Sequence, residues 1–293
     1  MKNSKIIIAG LIVTLVVAAY FIFFNSEEIW SKEEIINHVS SVNTTGSGYP
    51  DLEGKFIEYE YVDFGSFTLA FYDNKLLWQG KGGYFDGVTA KVIPQVSKVA
   101  NDIYFLSWVF ATGGGDNVVV NFRTNKVFAH LHQVGAERST PFELINGEII
   151  CGPSIDCNAP EGKVTNVLKI ENIITSNAEK FSLPDIGTME RPLIAEHQAA
   201  REELNGKTIK YVTDEGTISI QVNKDVTKVI DVAGKTKEYQ THTTKIDEGV
   251  YFISWLTNEE FGEHLVFNQN TMQIFDQILS DGTSKEQIYK ASE

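Results

Sequence analysis

Short stretches rich in β-branched and aromatic residues, many of them alternating with polar ones, recur along the chain from residue 56 onward. Turn-forming pairs such as Asp73-Asn74 and Asn101-Asp102 separate them. In the first half they predict seven strands, at Phe56–Tyr61, Phe67–Phe71, Lys75–Gln79, Lys91–Val96, Ile103–Phe110, Asn117–Phe122 and Lys126–Gln133. Strands without intervening helices indicate an antiparallel meander, and closure into a small barrel would remove its exposed edges.

The same pattern occurs twice. Leu52–Tyr59 recurs as Leu204–Tyr211, and Ile103–Trp108 recurs as Val250–Trp255. Asn121, Thr124 and Phe128 recur in the same order as Asn268, Thr271 and Phe275. We interpret this as a tandem duplication and predict an all-β protein with two tandem antiparallel β-barrels. Whether the repeats form separate barrels or one merged barrel stays open.

The N-terminal segment carries an uncharged run from Ile6 to Phe24. At about 1.5 Å per residue a helix over this run would be about 28 Å long, close to the thickness of the bilayer hydrocarbon. The lysines before it and Glu27 and Glu28 after it predict a cytoplasmic N-terminus and an exported body. A cleaved signal peptide is the alternative, with cleavage near Ala19. Both interpretations place the body outside the cytoplasm.

These patterns divide the chain into six segments. We predict a cytoplasmic tip at 1–5, a transmembrane signal anchor at 6–24, and a juxtamembrane helix and linker at 25–50. The first barrel repeat covers 51–133 and the second, with its tail, covers 204–293. The connecting region, 134–203, contains a loop-like stretch at Ile149–Gly162 and a predicted helix at Ile194–Leu204.

Composition narrows the function. The 25 Lys and Arg residues are outnumbered by 39 Asp and Glu, which gives a net charge of −14. A nucleic-acid partner is excluded on this ground, because such binding needs a basic surface. The two cysteines, Cys151 and Cys157, lie in one predicted exported loop and are candidates for a local disulfide.

Several motifs carry a family resemblance. They are Gly54-Lys55 followed by Tyr59 and Tyr61, then Leu76-x-Trp78, then Tyr104–Trp108, then Asp116–Thr124. Over Leu52–Gln133 and Leu204–Gly282 the chain resembles a calycin-like superfamily that includes the phenolic acid decarboxylases and the MoaF-type proteins. The resemblance implies a lipocalin-like barrel whose interior takes a small organic ligand. We predict no cofactor.

The resemblance to the decarboxylases is incomplete at the reacting groups. Tyr59 and Tyr61 match a tyrosine pair that grips the substrate carboxylate, and in the second repeat Tyr211 keeps the first of the two. The family's acid/base glutamate corresponds to Phe110 and Thr257, and its arginine is missing at Val88 and Thr89. We therefore predict no catalytic residue at the matched positions.

Two further groups of side chains are candidates for a ligand site. His130 and His132 are two residues apart on a predicted strand and would share a face, where they could form half of a zinc site or decorate a solvent-facing surface. No third ligand with motif spacing accompanies them, so we predict no metal. Trp108 and Trp255 could stack on a flat ligand or simply fill the core.

The sequence thus predicts a membrane-anchored extracytoplasmic protein that binds a small apolar or aromatic ligand. The candidate ligand-binding residues are Tyr59, Tyr61, Trp108, His130, His132, Tyr211 and Trp255. Two alternatives stay open: an altered decarboxylase-like lyase, and a structural envelope protein whose barrels are filled with side chains. Buried ionisable groups in the interior would favour catalysis, and a filled interior would favour the structural role.

Overall fold

The computed structural model describes residues 45–61, 65–82, 86–87, 89–109, 115–132, 142–152, 195–224, 226–256, 262–280 and 283–292. These ranges contain two short helices and 17 strands, so the prediction of an all-β fold is confirmed. The strands form two sheets, one from each repeat. The predicted anchor and juxtamembrane helix lie outside the described residues. No helix in the described ranges is long and apolar enough to cross a membrane.

The first unit begins with helix α1, Tyr49–Leu52, and forms one sheet of nine antiparallel strands. The strand order is β4-β3-β2-β1-β9-β8-β7-β6-β5. The strands are β1 Phe56–Tyr61, β2 Gly65–Tyr72, β3 Lys75–Lys81, β4 Thr89–Val92, β5 Gln95–Ala100, β6 Ile103–Val109, β7 Gly115–Asn121, β8 Lys126–His132 and β9 Phe142–Cys151.

The second unit begins with helix α2, Ala195–Glu203, which confirms the helix predicted there, and forms a closed barrel of eight strands in sequence order. The barrel closes because β17 pairs with both β16 and β10. Its strands are β10 Thr208–Thr213, β11 Gly216–Asn223, β12 Val226–Ile230, β13 Thr236–Asp247, β14 Val250–Leu256, β15 Gly262–Asn268, β16 Gln273–Ser280 and β17 Thr283–Ser292.

The two units differ at one strand, and Pro94 explains the difference. In the second unit β13 runs without interruption and pairs with both β12 and β14. The first unit has two shorter strands in its place, β4 and β5, separated by Ile93 and Pro94. Proline has no N–H to donate to a ladder, so it interrupts pairing there. The first unit is therefore a curled sheet whose end strands are neighbours in the chain, rather than the second closed barrel that was predicted.

The first sheet also extends beyond the predicted boundary at residue 133. Phe142–Cys151 forms β9, which lies between β1 and β8 and pairs with both. The sequence had placed this segment in the connection and had assigned Ile149 to a loop. Gly147 lies opposite Tyr61, and a Cβ at this glycine would come within 2.6 Å of the Glu60 carbonyl oxygen. This close approach accounts for a glycine inside the strand.

Each unit has its own apolar core, and its helix covers one end of that core. Leu52, the last residue of α1, packs into the first core, and Leu204, directly after α2, packs into the second. Both helices are held by matching contacts. Asp51 accepts hydrogen bonds from Lys98 at 2.5 Å and Tyr104 at 3.0 Å. Glu203 accepts the equivalent bonds from Lys245 and Tyr251.

A third apolar cluster joins the outer faces of the two units. It consists of matched residues from both repeats: Val99 and Ile246, Ile103 and Val250, Phe105 and Phe252, Val119 and Val266, Phe128 and Phe275. Two amides reinforce it reciprocally. Asn121 donates to the Ile246 carbonyl at 2.9 Å, and Asn268 donates to the Val99 carbonyl at 2.8 Å. The repeats therefore pack against each other in a pseudo-symmetric way.

Candidate ligand sites inside the two units

The interior of the first unit contains a cluster of aromatic side chains. We call it the first interior site and define it by Tyr59, Tyr61, Phe67, Trp78, Trp108 and Asp116. The rings of Tyr59 and Tyr61 meet edge to face with their centroids 5.2 Å apart, and the ring of Tyr59 stacks on that of Phe67 with a centroid distance of 5.6 Å. The centroid of the Phe67 ring in turn lies 5.4 Å from that of Trp78. Strand alternation directs Tyr59 and Tyr61 to one face, as the sequence predicted.

Trp108 and Asp116 bring polar atoms into this apolar surrounding. They are direct cross-strand neighbours on β6 and β7, and they alternate with core residues of the same interior. The Trp108 Nε1 and Asp116 Oδ1 atoms are buried and have no hydrogen-bond partner among the described residues. A buried polar atom left unpaired costs about 1–3 kcal/mol. The site therefore offers one unused donor and one unused acceptor side by side.

Burial also changes the ionisation of this site. It raises the pKa of Asp116 to about 7, and the backbone hydrogen bond at Asn117 only partly opposes it. Burial and then the charge of Asp116 raise the pKa of Tyr59. For Tyr61, burial is the largest cause of the raised pKa, followed by the charge of Tyr59 and then by that of Asp116. At neutral pH a large fraction of Asp116 is thus protonated, and the tyrosines are neutral.

The second interior site has fewer aromatic rings and more acid. We define it by Tyr211, Trp255, Glu263, Asp276 and Tyr289. Glu263 stands where the first unit has Asp116, and Asp276 stands where the first unit has Ala129. Burial, followed by repulsion from Glu263, raises the pKa of Asp276 to about 8, and burial raises the pKa of Glu263. The rings of Tyr211 and Tyr289 lie 5.3 Å apart.

His130 lies in neither interior. It alternates with Phe128 on the outer face of β8, where it is only 2% exposed and stacks on Phe252 of the second unit at 3.9 Å. Its Nδ1 is hydrogen-bonded to Ser254 Oγ and its Nε2 to Thr244 Oγ1, both at 2.7 Å. His130 is therefore placed neither as a zinc ligand nor as a solvent-facing residue. Both of its ring nitrogens are hydrogen-bonded to hydroxyl groups, and the second repeat covers this face of β8.

The hydrogen bonds of His130 extend to two more histidines. Thr244 Oγ1 lies 2.7 Å from His197 Nδ1, and Ser254 Oγ lies 2.9 Å from His264 Nδ1. We call this five-residue series the interface chain: His197, Thr244, His130, Ser254, His264. Burial, followed by the neighbouring histidines, lowers the pKa of His130 well below its usual value. Burial lowers the pKa of His197 to about 4.

The structure places most of the predicted ligand-binding residues in two separate interiors, not in one common site. Tyr59, Tyr61 and Trp108 belong to the first interior, whereas Tyr211 and Trp255 belong to the second. The side chains of His132 and Cys151, and the residues Phe110, Cys157 and Thr257, lie outside the described part of the structure. Within the described ranges no cluster of three His, Cys, Asp or Glu side chains could hold a metal.

Neither Asp116 nor Asp276 was among the candidates predicted from the sequence. Asp116 follows three glycines, and such a glycine run has the composition of a turn. The signal was present, because Asp116 alternates with Val118 and Val120, both core residues. Asp276 likewise alternates with Ile274 of the second core.

No protein-family model matches the chain, and no curated protein matches its sequence. Among solved structures it is similar to a candidate beta-lactamase from Burkholderia vietnamiensis. The identity is 22%, and the match covers 34% of this chain and 94% of that one, with a TM-score of 0.30. A similarity this weak carries no argument about fold or function.

Proposed function

We propose that this is a membrane-anchored, extracytoplasmic ligand-binding protein of the calycin-like, MoaF-type kind, and that its first interior site binds a small neutral aromatic molecule. The anchor in this proposal is the apolar run at 6–24, and the charge pattern around it supports export of the body. The motif resemblance and the β-barrel architecture of the second unit support the calycin-like assignment.

The observation that carries the proposal is the unpaired pair of atoms at Trp108 and Asp116. The indole N–H lacks an acceptor and the carboxyl oxygen lacks a donor among the described residues. A phenol or an aromatic amide would offer groups to both and would stack its ring on the surrounding aromatic side chains. A structural role with a filled interior would leave the cost of both atoms uncompensated.

The electrostatics favour a neutral ligand over an aromatic carboxylate. The one carboxyl group of the first interior site is Asp116, and no cationic side chain is among the groups that shift its pKa. A bound carboxylate would lose its hydration and would be repelled by the ionised form of Asp116. This differs from the decarboxylase arrangement, in which an arginine accompanies the tyrosines.

An altered lyase is the second candidate, and Asp116 is the observation that favours it. A carboxylic acid with a pKa of about 7 is protonated enough to act as a general acid at neutral pH. It lies beside Tyr59 and Tyr61, on the strand that follows the missing glutamate position. In this alternative Asp116 would supply the proton that the matched positions, Phe110 and Thr257, cannot supply.

A binding experiment with turnover as a parallel readout separates the two functions. We expect full-length protein to bind 4-ethylphenol in calorimetry more tightly than 4-hydroxycinnamate, and to release no carbon dioxide from the acid. Trp108→Phe keeps an aromatic ring but removes the donor, so it should weaken phenol binding by about tenfold. Carbon dioxide release that is abolished by Asp116→Asn would establish the lyase instead.

The matched control is Trp255→Phe, which makes the same change in the second unit. It should leave phenol binding at the first site within about twofold of the parent, because Trp255 belongs to the other core. Equal losses in both variants, or no binding by the parent, would contradict the proposal.

A further inference from the structure

The proposed function concerns the first interior site alone. The chemistry of the second interior site differs from that of the first. Three of the aromatic side chains of the first interior have non-aromatic counterparts in the second barrel, where Tyr61 corresponds to Thr213, Phe67 to Ile218 and Trp78 to Val229. The small Ala129 corresponds to an acid, Asp276. The second unit has therefore exchanged apolar surface for carboxyl groups, which are negatively charged when they ionise.

Asp276 is buried with one of its two carboxyl oxygens unpaired. It is 7% exposed, and its Oδ1 has no hydrogen-bond partner among the described residues. Asp276 alternates with Ile274 on β16, and Glu263 alternates with Leu265 and Phe267 on β15, so both acids face the barrel interior. Their interaction is direct enough for Glu263 to raise the pKa of Asp276.

The surrounding field is negative as well. After burial, the charges that raise the pKa of Tyr289 are those of Asp276, Asp214, Glu263 and Glu215. After burial, the charges that raise the pKa of Tyr211 are those of Asp276, Glu263 and Tyr289. Apart from the Tyr289 phenol, every group that acts on these two tyrosines is a carboxylic acid, and these acids come from β15, β16 and the β10–β11 turn. Two interior carboxyls thus face aromatic rings with no positive side chain among these groups.

We propose that the second interior site binds a small organic ammonium ion. A protonated amine supplies the missing positive charge and donates N–H bonds to Asp276 Oδ1 and the Glu263 carboxylate. Tyr211, Trp255 and Tyr289 supply the ring faces that attract organic cations. A metal ion fits less well, because it would require a third ligand, and no such cluster exists within the described ranges.

This inference is independent of the first site, since the two interiors share no residue. The test is calorimetric titration of the full-length protein with benzylammonium and, separately, with benzyl alcohol, which has a similar shape and no charge. Benzylammonium should bind at least about tenfold more tightly than the alcohol. Equal affinities would overturn the proposal, and so would tighter binding of Ca²⁺ or Zn²⁺ with no amine binding.

Variants locate the binding. Asp276→Ala installs the residue found in the first unit and should weaken amine binding at least about tenfold, as should the isosteric Asp276→Asn. Glu238→Gln is the matched control, because it removes one acid from the exposed outer face of the same barrel, where Glu238 pairs with Lys228. It should leave amine affinity unchanged. Retention of full amine affinity by both Asp276 variants would refute the site.

The pH profile gives a second readout that structural damage would not imitate. Amine binding requires ionised carboxyls, and the pKa of Asp276 is about 8. Affinity should therefore rise as the pH increases from about 6 to about 8.5, a range in which the amine remains protonated, and protons should be released on binding. In Asp276→Ala this slope should be much reduced. A flat profile in the parent would contradict the proposal.

Discussion

Buried acids at the ends of the two interiors show how single side chains determine the chemistry of each repeat. Asp116 and Glu263 occupy equivalent positions opposite Trp108 and Trp255. In both units burial is the first cause of the raised pKa. The second acid, Asp276, is found in the second unit alone, because the first unit has Ala129 at the equivalent position. Residue identity at a few interior sites, rather than the barrel itself, thus distinguishes the ligands we propose.

The raised pKa of Asp116 predicts a stability cost at high pH. Its folded-state pKa, about 7, lies above the ordinary value of 3.8 for an aspartate, so the folded protein binds more protons than the unfolded chain between these values. Stability should fall as pH rises from about 4 to about 7, by at most about 4 kcal/mol. Asp116→Asn should remove this part of the slope in urea unfolding measured across that range. An unchanged slope would show that Asp116 is not buried as described.

The asparagines at the β7–β8 and β15–β16 turns show the duplication at the level of elements. Asn121 Oδ1 accepts hydrogen bonds from the N–H groups of Arg123 and Thr124, while its amide reaches the second unit. Asn268 repeats this arrangement with Asn270 and Thr271. Each side chain therefore fixes its own turn and one contact between the units.

We expect Asn121→Ala and Asn268→Ala to have similar effects, since their contacts match. Each removes a buried bond to a carbonyl of the other unit and should lower the free energy of unfolding by about 1–3 kcal/mol. Gln198→Ala, on the exposed side of α2, is the control and should change stability by less than about 0.5 kcal/mol. Chemical denaturation measures all three. A clearly unequal pair would argue against the pseudo-symmetric interface.

The sequence predicted those elements that depend on interactions between residues close together in the chain, and it missed those that depend on distant residues. The strands and the repeat were visible because alternation and turn residues are local signals. β9 was missed, since Phe142–Cys151 is separated from β8 by a longer connection and contains a glycine that only the approach of Glu60 explains. Asp116 was missed because a carboxylate next to a glycine run has the composition of a turn.

The location of His130 could not be predicted for a different reason. Its position on one face of a strand was correctly assigned, but what covers that face depends on the packing of the second unit. Contacts between Phe252 and His130 join residues that are far apart in the chain, and no local pattern records them. Pro94 was similarly unremarked, although its effect on pairing explains why the first sheet does not close.

At the scale of the whole molecule, the interface chain makes the union of the two units sensitive to acid. The pKa of His130 is held below its usual value of 6.5 by burial. The folded protein therefore keeps His130 neutral, where the unfolded chain would take up a proton. Its contribution to stability is complete above about pH 6.5 and is lost as the pH falls below that value.

The variant that tests this effect is His130→Gln, because Gln277 occupies the equivalent position in the second unit. Gln277 donates to the Phe105 carbonyl at 2.9 Å, so a glutamine can be accommodated in such an interface. Parent and variant should differ in their pH dependence: the loss of stability between about pH 6.5 and 4 should be smaller in the variant. Parallel curves would contradict the burial of a neutral histidine between the units.

The most direct test of the central claim follows the indole N–H of Trp108 by nuclear magnetic resonance. The signal is assigned by its absence in Trp108→Phe, and the full-length protein is then titrated with 4-ethylphenol. If the first interior site binds the phenol, the unpaired donor gains an acceptor, and the Trp108 N–H signal should move downfield and saturate. A Trp108 signal that stays fixed at saturating phenol would contradict ligand binding in the first interior.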